Sequence, residues 1–111
     1  MLVTYSNPRV EKFFCDYGRL KTKLGAEWTR KIVKIINALE AAETFQDYLD
    51  TGYAKPHLLT NSNGCYGLSV SANVRVVVKP NLGNNSVEIC NEIDVKGVCD
   101  YHGDKENWFI P

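Results

Sequence analysis

The residues with the clearest chemical potential lie in two short segments, each of which contains one of the two histidines. The first is Asp100-Tyr101-His102-Gly103, which places an acid, a phenol and an imidazole in a row near the C-terminus. The second is Lys55-Pro56-His57, in which the proline favours an extended approach to the imidazole. Side chains of these types transfer protons near neutral pH. We expect the fold to bring the two segments together at the edge of a sheet.

A third feature is an arginine inside a valine-rich segment, Val74 to Lys79. Strand alternation places the valines at even positions on one face, and Arg75, Val77 and Lys79 on the other. An arginine in mid-sheet is suited to binding a phosphate through its bidentate fork. The alternative is a structural ion pair across the sheet with an acidic residue: Glu88, Glu92 or Asp100. The strand alone does not decide between these two roles.

Together these groups match the needs of RNA cleavage by internal attack. That reaction requires a base for the 2′-hydroxyl, an acid for the departing 5′-oxygen and a cation for the charge of the phosphorane. His57 and His102 would share the proton transfers without an assignment of which is the base, and Arg75 would supply the charge. The alternatives are a surface histidine at position 57 and a polar strand end packed on Trp108.

The geometry of the C-terminal segment sets a condition on this hypothesis. In a regular strand, the side chain of Tyr101 points away from those of Asp100 and His102. A bend at Gly97 or Gly103 would be needed for all three to converge.

The elements that must position these residues can be predicted from periodicity. Residues 2–5 suit a first strand. Asn7-Pro8 begins a helix, Gly25 separates it from a second helix, and a short third helix from Thr44 to about Leu49 is ended by Gly52. The apolar positions of the first two helices are Val10, Phe13, Phe14, Tyr17, Leu20, Trp28, Ile32, Ile35, Ile36 and Leu39.

After residue 52 the apolar period changes from that of a helix to that of a strand. We predict strands at 57–60, 66–70, 74–79 and 87–93, joined by turns that include Asn63-Gly64. Short connections force neighbouring strands to be antiparallel. The predicted fold class is α+β, with an N-terminal strand, an antiparallel helical hairpin, and a C-terminal antiparallel β-meander that carries the helices on one face.

Composition is that of an ordinary globular protein. The 111 residues are 44% hydrophobic and 23% charged, which fits a single domain over residues 1–111. We find neither an apolar run of membrane-spanning length nor a signal peptide, and we expect a cytoplasmic protein without a membrane partner. The four cysteines lack metal-ligand spacing. A disulfide pair would suit a secreted protein, but without an export signal we expect reduced thiols, with neither a metal nor a cofactor.

The zero net charge conceals an asymmetry. Residues 1–36 hold eight basic and three acidic side chains, whereas the rest of the chain holds five basic and ten acidic ones. A basic half suits a phosphate backbone or an acidic partner. The alternative is that these charges are the solvated faces of amphipathic helices.

The order of several motifs resembles the RelE/ParE superfamily of bacterial toxins, and within it the HigB-type branch. The motifs are Lys-Leu-Gly (23–25), Lys-Pro-His (55–57), Gly-Cys-Tyr-Gly-Leu-Ser-Val (64–70), Asn-Val-Arg-Val-Val-Val (73–78) and Asp-Tyr-His (100–102). The resemblance covers nearly the whole chain. Two departures are the sequence pI of about 6.7, which is low for ribosome binding, and the longer stretches at 81–86 and 94–97.

The resemblance implies a ribosome-dependent mRNA endoribonuclease that needs no metal. It implies that a HigA-like helix-turn-helix antitoxin silences the toxin, and that operator DNA is bound only through the antitoxin. The implied catalytic residues are His57, Arg75, Asp100, Tyr101 and His102. Lys55 and Lys79 are the candidate residues for RNA or phosphate binding.

Two other functions remain open on this fold. One is a non-enzymatic inhibitor of gyrase, which would not need an acid/base set. The other is a degenerate relative that only binds its antitoxin, a role that suits the near-neutral charge.

Overall fold

The structure, a computed structural model, describes residues 1–83, 86–102 and 105–111. Its elements follow in the order β1 (Leu2–Tyr5), α1 (Pro8–Phe14), α2 (Tyr17–Leu24), α3 (Ala26–Ala41), α4 (Phe45–Thr51), β2 (His57–Leu58), β3 (Tyr66–Ser69), β4 (Val74–Pro80), β5 (Glu92–His102) and β6 (Lys105–Ile110). The predicted α+β class, with an N-terminal strand, helices and then an antiparallel meander, is confirmed. No helix in the described ranges has the length and apolar character that a membrane crossing requires.

The helix starts follow the capping residues in the sequence. The side chain of Asn7 accepts a hydrogen bond from the backbone N–H of Val10 (3.0 Å) at the start of α1. Asp16 accepts one from Arg19 (3.1 Å) and begins α2. The predicted first helix is therefore two helices, because a second cap interrupts an apolar pattern that continues across it. The predicted third helix is confirmed as α4, capped by Thr44 and ended at Gly52 in the left-handed conformation.

The strands form one six-stranded sheet in which β5 is central. The order is β1-β5-β4-β3-β2, and β6 also pairs with β5. Strand β1 runs parallel to the first half of β5, whereas β6 runs antiparallel to its second half. The predicted strand over 87–93 is wrong over 87–91, because residues 87–89 form a turn and β5 begins only at Glu92, which pairs with Leu2.

Alternation along β4 separates the two faces of the strand, as predicted. Val74, Val76 and Val78 belong to the main core, which also holds the buried faces of the helices. Val77 lies on the other face, in a small cluster with Leu59, Cys65 and Cys99 against which Tyr101 packs. All four cysteines are free, and three of them are buried: Cys65, Cys90 and Cys99.

A β-bulge in the middle of β5 changes which side chains share a face. Val78 pairs with Val95 and Val77 pairs with Gly97, so Lys96 is an extra residue in the register. Val95 and Val98 both reach the main core because of this shift. Beyond the bulge, Cys99 and Tyr101 lie on the face opposite the helices, together with Arg75.

A partly exposed hydrogen-bond network ties β1, and Ser6 directly after it, to β5. The carboxylate of Asp94 accepts hydrogen bonds from the hydroxyls of Thr4 (2.8 Å) and Ser6 (2.5 Å), and Lys96 lies 3.1 Å away. Partial burial alone would raise the pKa of Asp94, but the hydrogen bonds from Ser6, Thr4 and Lys96 outweigh it and lower the pKa.

We expect Asp94→Ala to lower the free energy of unfolding by about 1–3 kcal/mol, because two hydroxyls lose a charged acceptor. A carboxyl whose pKa is lower in the folded state stabilises it at neutral pH, and this contribution is lost as the pH falls through the folded pKa. Denaturant titrations should therefore show a difference between wild type and variant at pH 7 that shrinks on acidification. A difference that grows at low pH would contradict this role.

Candidate functional site

A cleft of about 610 Å³ lies on the face of the sheet opposite the helices. Its walls come from the segment after α4 and from three strands: His57, Leu58, Leu59, Thr60, Asn61, Ser62, Arg75, Tyr101 and Glu106. Four of these side chains carry groups that transfer protons or bear charge. We call this site the histidine cleft.

His57 enters the cleft from a constrained turn. Ala54 and Lys55 both have positive φ angles, 62° and 46°, which non-glycine residues adopt at a cost. The turn is held because the carbonyl of Ala54 accepts a hydrogen bond from the N–H of Ser69 (2.6 Å). Nδ1 of His57 lies 3.4 Å from the carbonyl of Lys55. A proton on Nδ1 that points to this carbonyl leaves Nε2 available for chemistry.

Arg75 is held by main-chain carbonyls. Its Nη1 donates to Ser71 (2.7 Å) and Val74 (3.1 Å), and its Nη2 donates to Ala72 (3.0 Å). Within the described residues Arg75 has no carboxylate partner, and its Nε has no hydrogen-bond acceptor. The predicted alternative of an ion pair with Glu88, Glu92 or Asp100 is therefore not observed. The guanidinium is fixed in position by these carbonyls and forms no ion pair within the described residues.

A glycine lies next to this arginine and to Leu59. A Cβ atom built on Gly67 would lie 3.4 Å from both Cγ and Cδ of Arg75 and 3.1 Å from Cδ2 of Leu59. Gly67 also pairs with His57 on one side and with Val77 on the other. A side chain at position 67 would therefore press on Leu59, another residue that lines the cleft.

Glu106 is a member of the cleft that sequence reasoning missed. It pairs with Tyr101 across β5 and β6, so both side chains lie on the cleft face. Burial raises the pKa of the Tyr101 phenol, and the negative charge of Glu106 raises it further. Tyr101 is therefore a neutral hydrogen-bond donor at physiological pH. Burial and the same glutamate also raise the pKa of the Cys99 thiol, to about 11, so this cysteine is not a thiolate nucleophile.

Asp100 and His102 do not line the histidine cleft. Asp100 pairs with Val74, a main-core residue, so both it and His102 lie on the other face of β5 from Tyr101. Nδ1 of His102 is 3.4 Å from the amide nitrogen of Asn73. The expectation that both imidazoles face one hollow is therefore not met. Gly103, one of the two proposed bend positions, lies outside the described residues, and the other, Gly97, provides the bulge.

The two lysines expected to bind RNA occupy different places. Lys55 lines a groove that adjoins the cleft at Arg75. Lys79 lies in a separate hollow with two carboxylates, Glu92 and Asp94. Only Lys55 is thus close to the group of side chains in the cleft.

The combination in the cleft is suited to phosphoryl chemistry. An imidazole and a carboxylate provide a proton donor and a proton acceptor, the phenol donates a hydrogen bond, and the guanidinium stabilises negative charge. No protein nucleophile is needed if the attacking group belongs to the substrate. These are the requirements for RNA cleavage by a 2′-hydroxyl.

Two solved structures resemble this one. A YoeB–YefM complex from Staphylococcus aureus matches with a TM-score of 0.53 and 18% identity, over 92% of this chain and 98% of that chain. A YoeB dimer from the same organism matches with the same score and identity, over 92% and 97% of the two chains. The chain has a YoeB-like fold. No family model and no curated protein matches the sequence, so these comparisons establish the fold alone and the HigB-type branch stays a prediction.

Proposed function

We propose that the single domain of residues 1–111 is a toxin of the RelE/ParE superfamily, of the HigB-like branch, that cleaves ribosome-bound mRNA in the cytoplasm. The observation that carries the proposal is the histidine cleft, in which His57, Arg75, Tyr101 and Glu106 meet on the face of the sheet without helices. The YoeB-like fold supports the class of protein, and the sequence resemblance supports the activity.

The proposed reaction is an in-line displacement within the RNA. Glu106 accepts the proton of the 2′-hydroxyl while that oxygen forms a bond to phosphorus. The bond from phosphorus to the 5′-oxygen breaks, and protonated His57 gives its Nε2 proton to the leaving oxygen. Arg75 stabilises the charge of the phosphorane, and Tyr101 donates a hydrogen bond from its neutral phenol. The products are a 2′,3′-cyclic phosphate and a 5′-hydroxyl, and no metal takes part.

The proposal differs from the sequence-based one in its choice of proton-transfer groups. Because Asp100 and His102 lie on the other face of β5, we assign them no step in the reaction. Glu106 replaces one of the two histidines. The ribosome would supply the orientation that the open cleft lacks, so cleavage of free RNA should be weak.

A protein antitoxin is the proposed partner that silences the toxin. YoeB, a protein of the same fold, has been solved in complex with YefM, which is the arrangement expected of a toxin and its antitoxin. We propose a helix-turn-helix antitoxin of the HigA type here, through which the complex would reach operator DNA.

Controlled expression in bacteria tests this function against its two alternatives. We expect growth arrest with breaks in translated mRNA, both of which should disappear with His57→Ala. Arrest with DNA damage and intact mRNA would instead indicate a gyrase inhibitor. Absence of arrest, together with tight antitoxin binding, would indicate a degenerate relative.

Gly67→Ala should reduce cleavage by roughly tenfold while it changes stability by about 1 kcal/mol or less, because the added Cβ would lie 3.1 Å from Cδ2 of Leu59. The shift that this contact requires would disturb a wall of the histidine cleft, and small displacements are costly to catalysis. Single-turnover cleavage and thermal unfolding are the measurements. Gly18→Ala is the matched control, since its Cβ would meet only the Asp16 carboxylate at 3.5 Å. Equal activity in the two variants would mean that the contact between position 67 and Leu59 is unimportant for cleavage.

A further inference from the structure

A second depression, of about 670 Å³, adjoins the histidine cleft and shares Arg75 with it. It lies between α3, the turn after α4, and the end of β3. The lining consists of Lys31, Lys34, Ile35, Gly52, Tyr53, Ala54, Lys55, Ser69, Val70, Ser71, Ala72 and Arg75. We call it the lysine groove.

The lysine groove concentrates positive charge in a chain of zero net charge. Lys31, Lys34 and Lys55 are exposed, and together with Arg75 they give four cations and no carboxylate among its lining residues. One of these lysines, Lys31, forms an exposed ion pair with Glu27 at 3.7 Å. Such a pair is weak in water and leaves the lysine free to exchange partners. Such a groove attracts a polyanion.

The groove is also lined by an exposed aromatic residue. Tyr53 is a large hydrophobic residue with 41% of its surface exposed. Its carbonyl accepts a hydrogen bond from the hydroxyl of Tyr48 (2.8 Å), which fixes the main chain beside the groove. Cationic side chains that follow a backbone, with an aromatic ring for a base to stack on, are typical of single-strand binding surfaces.

We propose that the lysine groove binds the RNA strand that continues from the scissile phosphate, with the three lysines at successive phosphates and Tyr53 against a base. This inference rests on the proposed function, because it takes the histidine cleft as the place of cleavage. Arg75, which lines both depressions, marks the point where the strand passes from one to the other. An acidic protein segment would also bind these cations, but it has no bases to stack on Tyr53.

Fluorescence anisotropy with single-stranded RNA tests the inference. A His57→Ala background keeps the RNA intact, and the variant of interest adds Lys31→Ala, Lys34→Ala and Lys55→Ala. A charge-matched control instead adds the exposed α1 and α2 substitutions Lys12→Ala, Lys21→Ala and Lys23→Ala. Circular dichroism and thermal melting verify that all three proteins are folded.

We expect the groove variant to bind a decanucleotide roughly tenfold or more weakly at about 50 mM salt. The slope of log K against log salt should be smaller by about 2, because each of the three lost phosphate contacts contributes ~0.7 on a single strand. The control should change both quantities much less. A dinucleotide, which is confined to the cleft, should not distinguish the variants. Tyr53→Ala should weaken decanucleotide binding several-fold without a change in the salt slope.

Equal losses in the groove variant and the control would overturn the inference. The inference would also be overturned if the groove substitutions weakened binding of poly-glutamate but not of RNA. That result would identify an acidic protein segment as the occupant. Failure of the proposed function has a different signature. If the groove substitutions weaken decanucleotide binding but the wild-type chain does not cleave ribosome-bound mRNA, the RNA-binding role of the groove would stand and the nuclease function would be rejected.

Discussion

His57→Ala should lower the rate of mRNA cleavage on the ribosome by roughly 10²–10⁴-fold, the usual contribution of a general acid. His102→Ala should change the rate by only about twofold, in line with substitutions at exposed positions that contact no functional group. The contrast follows from their positions: His57 lines the cleft from β2, whereas the bulge in β5 leaves His102 on the other face. Single-turnover cleavage of a programmed ribosome is the measurement.

The two histidine variants control for each other. Both residues are exposed, so neither substitution should disturb the core. Similar unfolding midpoints would show that any difference in rate comes from chemistry. A large loss with His102→Ala and a small one with His57→Ala would place the reaction on the other face of the sheet, at the segment that contains Asp100.

Gly97→Ala should destabilise the fold by on the order of 4 kcal/mol or more, a large part of the 5–15 kcal/mol by which a domain is stable. Gly97 has a φ of 147°, and a Cβ there would overlap the carbonyl oxygen of Ile110 and lie 3.3 Å from Cζ3 of Trp108. The obstacle on β6 is main chain, so no rotamer change relieves it. Urea unfolding and the yield of soluble protein measure the effect.

Gly25→Ala separates the steric effect from the conformational one. Gly25 also has a positive φ, 91°, but nothing lies within 4 Å of its Cβ position. Its substitution should cost only about 1–3 kcal/mol for the strained backbone. Equal destabilisation by the two variants would show that the close approach of β5 and β6 at Gly97 is unimportant.

Much of the fold follows from periodicity, and the failures have local causes. The alternation in β4 correctly separates Val74, Val76 and Val78 from Arg75, since nothing interrupts the strand between Val74 and Val77. The helix break at Asp16 went undetected because the apolar spacing continues through it, and only the cap geometry shows the second start. The turn at 87–89 was mistaken for strand because its residue types favour strands.

The site was harder to predict because one inserted residue in β5 moves every side chain after it to the opposite face of the sheet. If alternation continued unbroken from Asp94, Asp100 and His102 would share a face with Arg75. The sequence contains a signal for the change, since apolar residues stand at 93, 95 and 98 and a glycine stands at 97. Glu106 gave no signal, because its place beside Tyr101 depends on the pairing of β6 with β5.

A single 2′-deoxy substitution tests the central claim that the RNA supplies its own nucleophile in the histidine cleft. The substrate is an mRNA bound to a programmed ribosome and deoxygenated only at the nucleotide 5′ to the scissile phosphate. We predict that the wild-type chain cuts the all-ribose mRNA to a 2′,3′-cyclic phosphate and a 5′-hydroxyl, and that the deoxy substitution abolishes this cleavage. Undiminished cleavage of the deoxy mRNA at the same phosphate would contradict the account.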